Sequence, residues 1–433
     1  MKSLIVSQTF SSLIKKAGVF FGSSTLTFVR LLSGLMLLKV VALISGAPGV
    51  AIYAQAQSAV TLVNGILVSS AGNGVVKLVA ERPARTESIK TSALQLVSFC
   101  ALVMAFITWL LRTQIVAWLN IGDITSFQMT VFLLAAVFAS IGTLLVSISN
   151  GLQKLLLVIK TNILSILGSL VVVLLVLIYL GGQFIILAPA VYLGLIGLFQ
   201  IGFLIKHQYM LPCSFGRLDF TTIRPLSGYM VMAICSFVMA TFVLISIRSW
   251  LIQSDGLNVT GDWESSRRLM DLITALLTTY FSMVLLPKMS KMADGYSLRF
   301  EILKNAASIA LLALISFLCI YLFRFYIYSL IYTSDFNFSE ELLMTRAMGE
   351  FLRVLVWIFG FILVVRAKVF LYLSTSIIYG LMLLASSNML ISQYGVSGLN
   401  YAYILSNLIM LFISIIIFIS ITHQHKDLES GEA

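Results

Sequence analysis

Charged side chains are scarce in this sequence. Only 10% of the 433 residues are Asp, Glu, Lys or Arg, and 60% are hydrophobic. A soluble domain carries about a quarter charged residues, so this composition excludes a soluble globular protein. The apolar residues form long runs, and a helix needs about 20 of them to cross a membrane. The alternating pattern of membrane strands is missing. The sequence therefore predicts an all-α integral membrane protein.

Motifs for bond chemistry are missing as well. The 4 cysteines and 3 histidines show no Cys-x-x-Cys or similar ligand spacing, so we expect no metal and no cofactor. Nucleotide-binding, metalloprotease and serine-hydrolase motifs are absent. The predicted loops are too short for a polar catalytic domain. We therefore expect a transporter that is not an enzyme, with a membrane-embedded polysaccharide polymerase as the alternative from another class.

Twelve apolar segments are long enough to span a membrane. They are predicted at residues 18–45, 49–76, 92–112, 129–150, 159–180, 184–205, 227–251, 265–287, 302–324, 341–365, 369–391 and 398–421. The first two are separated by a turn signal that includes Gly46 and Pro48.

The formal net charge of +11 is explained by topology. Basic residues concentrate on alternate connections between spans, whereas the loops after spans one, five and eleven carry no charge. This distribution follows the positive-inside rule, so both termini are predicted to be cytoplasmic and no nucleic-acid partner is expected.

The two halves of the sequence resemble each other in the order of their basic and uncharged loops. We expect an N-terminal six-helix lobe at residues 1–206, a cytoplasmic linker at 207–226, a C-terminal six-helix lobe at 227–421 and a cytoplasmic tail at 422–433. Because six spans separate the matching segments, the repeat is parallel, and transporters of this kind bind substrate between their halves.

Charged residues inside the predicted spans are the candidate functional residues. Each costs about 2.5–3.5 kcal/mol at a helix centre, so such residues face a bundle interior or a watery cavity. Arg30 and Lys39 lie in span one. In span ten, Arg346, Glu350 and Arg353 follow i, i+4, i+7 spacing, which places them on one face of a helix.

Span eight opens with a second charged stripe, formed by Glu264, Arg268 and Asp271, with Arg267 beside it. For Glu264 and Arg267 a pair on a water-exposed helix surface is at least as good an interpretation as function. Arg248, near the end of span seven, is positioned either to extend toward the membrane surface or to act in a site.

Four of the five tryptophans, Trp109, Trp118, Trp250 and Trp263, lie near the ends of their spans. An aromatic belt at the membrane surface explains them without sugar stacking.

The basic residues Arg30, Lys39, Arg248, Arg268, Arg346 and Arg353 predict a cationic substrate-binding cavity. Such a cavity suits a phosphate or pyrophosphate. Asp271 and Glu350 are candidates for ion coupling or for charge pairing.

Several motifs together point to one family. In chain order they are residues 39–49 (KVVALISGAPG), 76–80 (VKLVA), Trp263 with Asp271, 284–290 (VLLPKMS), 349–354 (GEFLRV) and 394–399 (YGVSGL). By the order and spacing of these motifs, the chain resembles the Wzx-type flippases of O-antigen and enterobacterial common antigen units. These bacterial transporters of lipid-linked oligosaccharide belong to the multidrug/oligosaccharidyl-lipid/polysaccharide exporter superfamily.

The resemblance implies two pseudo-symmetric six-helix bundles around a central cationic cavity, in the bacterial inner membrane. Its substrate would be an undecaprenyl-pyrophosphate-linked O-antigen or related repeat unit, moved from the cytoplasmic to the periplasmic face by alternating access. Arg30, Lys39, Asp271 and Glu350 would line the cavity.

The resemblance also implies H⁺ or Na⁺ as a coupling ion. It implies membrane lipids, a polysaccharide polymerase and a chain-length regulator as partners. A drug/cation antiporter of the same superfamily is an alternative, although the basic excess opposes it. A lipid II flippase is another, although that family usually has more spans.

Overall fold

The computed structural model describes the backbone of residues 2–69, 72–206, 220–280, 295–332, 336, 339–366 and 368–430. All regular elements in these ranges are helical, and two are short 3-10 turns at Pro83–Arg85 and Gly181–Phe184. The helices are α1 (Lys2–Ser69), α2 (Asn73–Glu81), α3 (Thr86–Leu110), α4 (Arg112–Leu119), α5 (Ser126–Gly151), α6 (Leu155–Leu180), α7 (Ala188–Lys206), α8 (Phe220–Tyr280), α9 (Gly295–Leu322), α10 (Arg324–Ile331), α11 (Glu340–Val365) and α12 (Val369–Ser430).

Three of these helices are interrupted by a glycine. Gly46 in α1 has φ +58°, Gly256 in α8 has φ +83° and Gly395 in α12 has φ +56°. A positive φ lies outside the helical region, and glycine adopts it without steric cost. Each long helix therefore consists of two segments, named here α1a and α1b, α8a and α8b, and α12a and α12b, before and after the glycine.

The break after Gly46 confirms the turn predicted there. Between spans seven and eight the structure differs from the prediction. A loop was expected at 252–264, but the chain is helical on both sides of Gly256. One glycine is sufficient for the change of direction, so polar residues that were assigned to a loop belong to α8b.

The chain is an all-helical membrane protein. Its described residues contain 8 segments that are long and apolar enough to cross a membrane. Thr25–Glu81, Phe237–Ala275 and Phe370–Thr422 each contain one of the glycine breaks. The 26-residue helix α11 is not among these 8 segments. When both parts of each interrupted segment and α11 are counted, every one of the twelve predicted spans overlaps a helix of the described chain.

The chain forms two compact units. One comprises Met1–Ser45 and Ile52–Thr241, and the other comprises Gly46–Ala51 and Phe242–Ala433. Residues 46–51 group with the second unit because Ala47 lies against Gly261, where an added Cβ would be 2.0 Å from the Ala47 carbonyl oxygen. The predicted lobe boundaries stay predictions, and residues 207–219 of the predicted linker lie outside the described residues. The 284–290 motif also lies outside the described residues.

Small residues bring the helices of the first unit close together. An added Cβ on Gly197 of α7 would lie 2.3 Å from the Phe138 carbonyl oxygen of α5, and one on Gly142 would lie 2.9 Å from Gly197. Helices in membranes associate through such close backbone contacts. In the second unit, α8b, α9 and α11 share an apolar core that includes Met270, Ile309 and Ile358.

The two units repeat one helix plan. Ser126 and Glu340 begin 26-residue helices 214 positions apart, and the next helices begin at Leu155 and Val369, again 214 positions apart. The short helices α4 and α10 both have 8 residues and both follow a long helix after one residue. They begin with Arg112 and Arg324, respectively. This order supports the parallel repeat predicted from the loops.

Candidate functional site

Glu264 is the centre of a charged network in the second unit. It lies on α8b, eight residues after the Gly256 break, and its side chain is completely buried. Its carboxylate accepts hydrogen bonds from three arginines. The contacts are Arg248 Nη2 to Oε2 at 3.1 Å, Arg267 Nε to Oε2 at 2.9 Å, Arg267 Nη2 to Oε1 at 2.6 Å and Arg268 Nε to Oε1 at 2.9 Å.

These contacts decide between alternatives that the sequence left open for two residues. Glu264 is not part of a water-exposed helix surface, because none of its side chain is accessible. Arg248 does not extend toward the membrane surface, because its guanidinium is fully buried against Glu264. Both residues are inside the helix bundle of their unit, where an unpaired charge would be costly and a paired one is retained.

The α8b stripe continues to Asp271. Arg267 Nη1 donates to Asp271 Oδ2, so Arg267 bridges the two carboxylates of the stripe. The Asp271 side chain is 36% exposed, in contrast to the buried Glu264. Asp271 therefore has both an ion-pair partner and an accessible carboxylate surface.

The residues of the stripe predicted on α11 form an ion-paired set. Arg346 Nη2 donates to Glu350 Oε1 at 2.6 Å, and Arg353 Nη1 lies 3.7 Å from Glu350 Oε2. The Tyr403 hydroxyl of α12b donates to Glu350 at 2.9 Å and accepts from Arg353 at 3.2 Å. The Tyr403 ring also lies under the Arg346 guanidinium, 4.0 Å from its carbon. Gly349 makes room for this ring, since an added Cβ there would be 2.4 Å from Tyr403 Cδ1.

Trp263 connects α8b to the neighbouring helices. It was predicted to belong to the membrane-surface belt, but only 2% of it is exposed, so that prediction is wrong. Its indole Nε1 donates to Asn400 Oδ1 at 3.2 Å. The Asn400 amide in turn donates to Leu342 O at 3.1 Å and to Thr345 Oγ1 at 2.8 Å. Trp263 and Asn400 therefore fix α8b, α11 and α12b in one arrangement.

The two stripes form one electrostatic network. Arg267 of α8b interacts with Glu350 of α11, and Arg353 of α11 interacts with Asp271 of α8b. The network contains five arginines (248, 267, 268, 346 and 353) and three carboxylates (264, 271 and 350), which gives it a net charge of +2.

Exposure divides the network into an inner and an outer part. Arg248, Glu264, Arg346 and Glu350 are buried. The Arg353 side chain is 33% exposed and that of Arg268 is 20% exposed. The inner charges therefore hold the outer ones in place, and Arg268, Asp271 and Arg353 are the groups that a ligand can contact.

Arg30 and Lys39 belong to the first unit. Arg30 is exposed on α1a and interacts electrostatically with Tyr192 of α7, whose hydroxyl is hydrogen-bonded to Ser33. Lys39 is partly buried on the same helix. The structure thus assembles six of the eight predicted site residues in the second unit and places these two in the other. Their roles in binding and coupling stay predictions.

The comparisons with known proteins agree with this architecture. The sequence matches no protein-family model. It is 25% identical over 402 residues to the Lipid III flippase of Escherichia coli, across 90% of this chain and 94% of the flippase. The Lipid III flippase of Shigella flexneri matches equally. An inward-facing multidrug transporter of the MATE family, in the MOP superfamily, has a TM-score of 0.72 at 13% identity. That match covers 93% of this chain and 96% of the transporter.

The lipid II flippase MurJ in an inward closed conformation has a TM-score of 0.71 at 12% identity, over 93% of this chain and 90% of MurJ. The chain shares the fold of these two solved structures. It is a multi-pass membrane protein with distant homology to a bacterial flippase. These relatives are transporters and flippases, and the fold of the MATE transporter and MurJ has 12–14 membrane helices, a range that includes the twelve spans predicted from the sequence.

Proposed function

We propose that the chain is a flippase for a lipid-linked oligosaccharide. Its substrate would be an undecaprenyl-pyrophosphate-linked O-antigen or related repeat unit, moved from the cytoplasmic to the periplasmic face of the inner membrane. The observation that carries the proposal is the arginine–carboxylate network of the second unit, with its net charge of +2. A pyrophosphate that links a lipid to a sugar carries two negative charges, which balance the +2 of the network.

The chemistry of the exposed arginines supports this substrate class. Guanidinium groups bind phosphate oxygens through pairs of charge-assisted hydrogen bonds. Arg268 and Arg353 each have an accessible side chain held by a buried carboxylate, Glu264 and Glu350 respectively. Their orientation is fixed before a ligand arrives, which lowers the entropic cost of binding.

The same network disfavours a cation as the main cargo. A cation antiporter needs an excess of carboxylates at its site, and this network has an excess of arginines. The membrane potential also favours outward movement of an anionic headgroup, by about 2.3 kcal/mol per charge per 100 mV with the inside negative. A membrane-embedded polymerase stays the alternative from another class, and the 25% identity to Lipid III flippases supports transport instead.

Within the proposal, Arg30 and Lys39 are additional cationic contacts of the first unit, and Asp271 is the better of the two candidates for ion coupling. Its carboxylate is accessible, whereas Glu350 is buried between Arg346 and Tyr403. Either H⁺ or Na⁺ is the proposed coupling ion. A polysaccharide polymerase and a chain-length regulator are proposed partners downstream of transport.

The proposal is tested in cells that lack the gene, with spheroplasts and an externally added glycan-specific probe. We expect carrier-linked units to accumulate on the inner face and surface glycan to disappear. The wild-type gene should restore export. Arg353→Gln should insert normally and restore less than about a tenth of it, because a charge-assisted bond to phosphate contributes roughly 1.5–3 kcal/mol. Arg30→Ala should also insert normally and lose export.

Unchanged surface glycan in the deletion strain would overturn the proposal. If cationic dyes accumulated in the same cells, the antiporter interpretation would replace it. Full export by a normally expressed Arg353→Gln protein would leave the flippase assignment in place but would remove this network as its site.

A further inference from the structure

Trp357 is the one tryptophan that the sequence did not assign to the membrane-surface belt. It lies on α11, eight residues before the end of the helix at Val365, which places it about 12 Å inside that end. Its side chain is partly exposed. By contrast, Trp109 lies one residue before the end of α3 and is 76% exposed, as expected of a residue at the membrane surface.

Trp357 continues the charged stripe of α11. It follows Arg346, Glu350 and Arg353 at i+11, i+7 and i+4, so all four residues share one face of the helix. Met348 is nine residues away from it, about 180° around the helix, and is 58% exposed. Trp357 therefore does not share the exposed apolar face of its helix.

Arg353 and Trp357 form a stacked pair. The guanidinium carbon of Arg353 lies 4.8 Å from the centroid of the Trp357 ring. The cation occupies one face of the indole, and the side chain remains partly exposed. Indole surface is therefore available beside the most exposed arginine of the network.

We propose that Trp357 forms a sugar-binding subsite next to Arg353. This inference rests on the proposed function, in which Arg353 binds the pyrophosphate. The first sugar of a lipid-linked oligosaccharide is bonded directly to that pyrophosphate, so it lies within one sugar length of the bound phosphate. The C–H groups on a sugar ring face are attracted to the electron-rich face of an aromatic ring. Trp357 thereby distinguishes a glycosylated carrier from a bare one.

The repeat of the chain supports a role specific to this ligand. The positions of α5 that correspond to Arg353 and Trp357, 214 residues earlier, are Ala139 and Thr143. A 26-residue helix in the same place of the other unit thus forms without a tryptophan or an arginine there. The stacked pair is not required by the helix plan.

The test compares two ligands on the purified full-length chain in lipid nanodiscs. One is undecaprenyl pyrophosphate, and the other is the lipid-linked oligosaccharide extracted from cells that lack the gene. We expect Trp357→Leu to weaken binding of the glycosylated ligand by about tenfold and to leave undecaprenyl pyrophosphate within about twofold. Trp357→Phe, which keeps an aromatic face, should retain most of the affinity. Arg353→Gln should weaken both ligands.

Trp109→Leu is the matched control, since it removes an exposed tryptophan far along the sequence from the network, and it should change neither affinity. Equal weakening of both ligands by Trp357→Leu would show that the indole only supports Arg353 and would overturn the subsite. Unchanged binding of both would overturn it as well. If the wild-type protein bound neither ligand, the proposed function itself would fail.

Discussion

The two units of this protein use the same helix plan with different polar content. On α11 of the second unit, three positions carry Arg346, Glu350 and Arg353. The corresponding positions of α5, 214 residues earlier, are Phe132, Ala136 and Ala139, and all three are buried. A helix of the same length thus packs in the first unit with apolar residues at these positions. Packing alone does not require the charges.

The helical segments after Gly46 and Gly256 differ in the same way. Glu264 lies eight residues after Gly256, and Ala54 lies eight residues after Gly46. Arg268 and Asp271 correspond by the same count to Ser58 and Thr61. Because intramembrane charges are expensive, the presence of this network in only one of two units with the same helix plan indicates that it serves the ligand.

The largest expected effect comes from breaking the centre of the network. Glu264→Ala leaves three arginines without their shared carboxylate, and removal of one partner from a buried ion pair costs about 3–5 kcal/mol. We expect a markedly lower melting temperature in detergent and poor membrane accumulation. In the first unit Ala54 occupies the equivalent position, so Ala54→Ser should leave the melting temperature nearly unchanged.

A second substitution sharpens this result. If the cost arises from unpaired charge, Arg248→Met in the Glu264→Ala background should recover part of the lost stability, since Arg248 is the fully buried member of the set. An unchanged melting temperature for Glu264→Ala, or no recovery in the double variant, would show that the network does not stabilise the second unit.

A smaller effect is expected where α11 meets α12b. Gly349→Ala places a Cβ 2.4 Å from Tyr403 Cδ1, so the ring must move away from Glu350 and Arg353, at a cost of about 1–3 kcal/mol. Export of the oligosaccharide should fall together with the melting temperature, because Arg353 loses its tyrosine partner.

Gly360 on the same helix is the matched control. The nearest atom to an added Cβ there is Ser414 Oγ at 3.9 Å, which is ordinary contact. Gly360→Ala should raise stability slightly, by up to about 1 kcal/mol from helix propensity, with export unchanged. If both glycines tolerate alanine equally, the position of Tyr403 does not depend on the close approach at Gly349.

Much of the fold was predictable because hydropathy and turn-forming residues are local signals. Apolar runs predicted the positions of the membrane helices, and the turn at Gly46 follows from its neighbours. The break at Gly256 was missed because the residues around it are polar enough to resemble a loop, although they are helical. A polar segment inside a protein is helical when other helices supply partners for its polar side chains. Those partners are distant in the sequence, so the segment alone does not reveal them.

The site was predictable only in part, for a similar reason. The i, i+4, i+7 spacing placed the residues of α11 on one face, and in the structure they are ion-paired. The same spacing in α8b is compatible with an exposed surface and with a buried core. Burial of Glu264 depends on Arg248, which is sixteen residues away on α8a, and burial of Trp263 depends on Asn400. Contacts between distant segments decided both cases.

The smallest expected effects concern the part of the plan that both units share. In the first unit the Gln55 amide donates to the Leu119 carbonyl at 3.0 Å, at the end of α4. In the second unit the Tyr332 hydroxyl, one residue after α10, donates to the Ser265 carbonyl at 3.1 Å. Gln55 lies nine residues after Gly46, and Ser265 lies nine residues after Gly256, so the two bonds join equivalent elements.

Gln55→Leu and Tyr332→Phe each remove one of these buried hydrogen bonds, at a cost of about 1 kcal/mol. We expect similar small decreases in melting temperature and faster backbone hydrogen exchange confined to α4 or to α10. Export should remain within about twofold of wild type, because neither residue belongs to the charged network. A loss of export in only one variant would show that the anchored short helices are not equivalent. Matching results would show that the two units anchor their short helices in the same way.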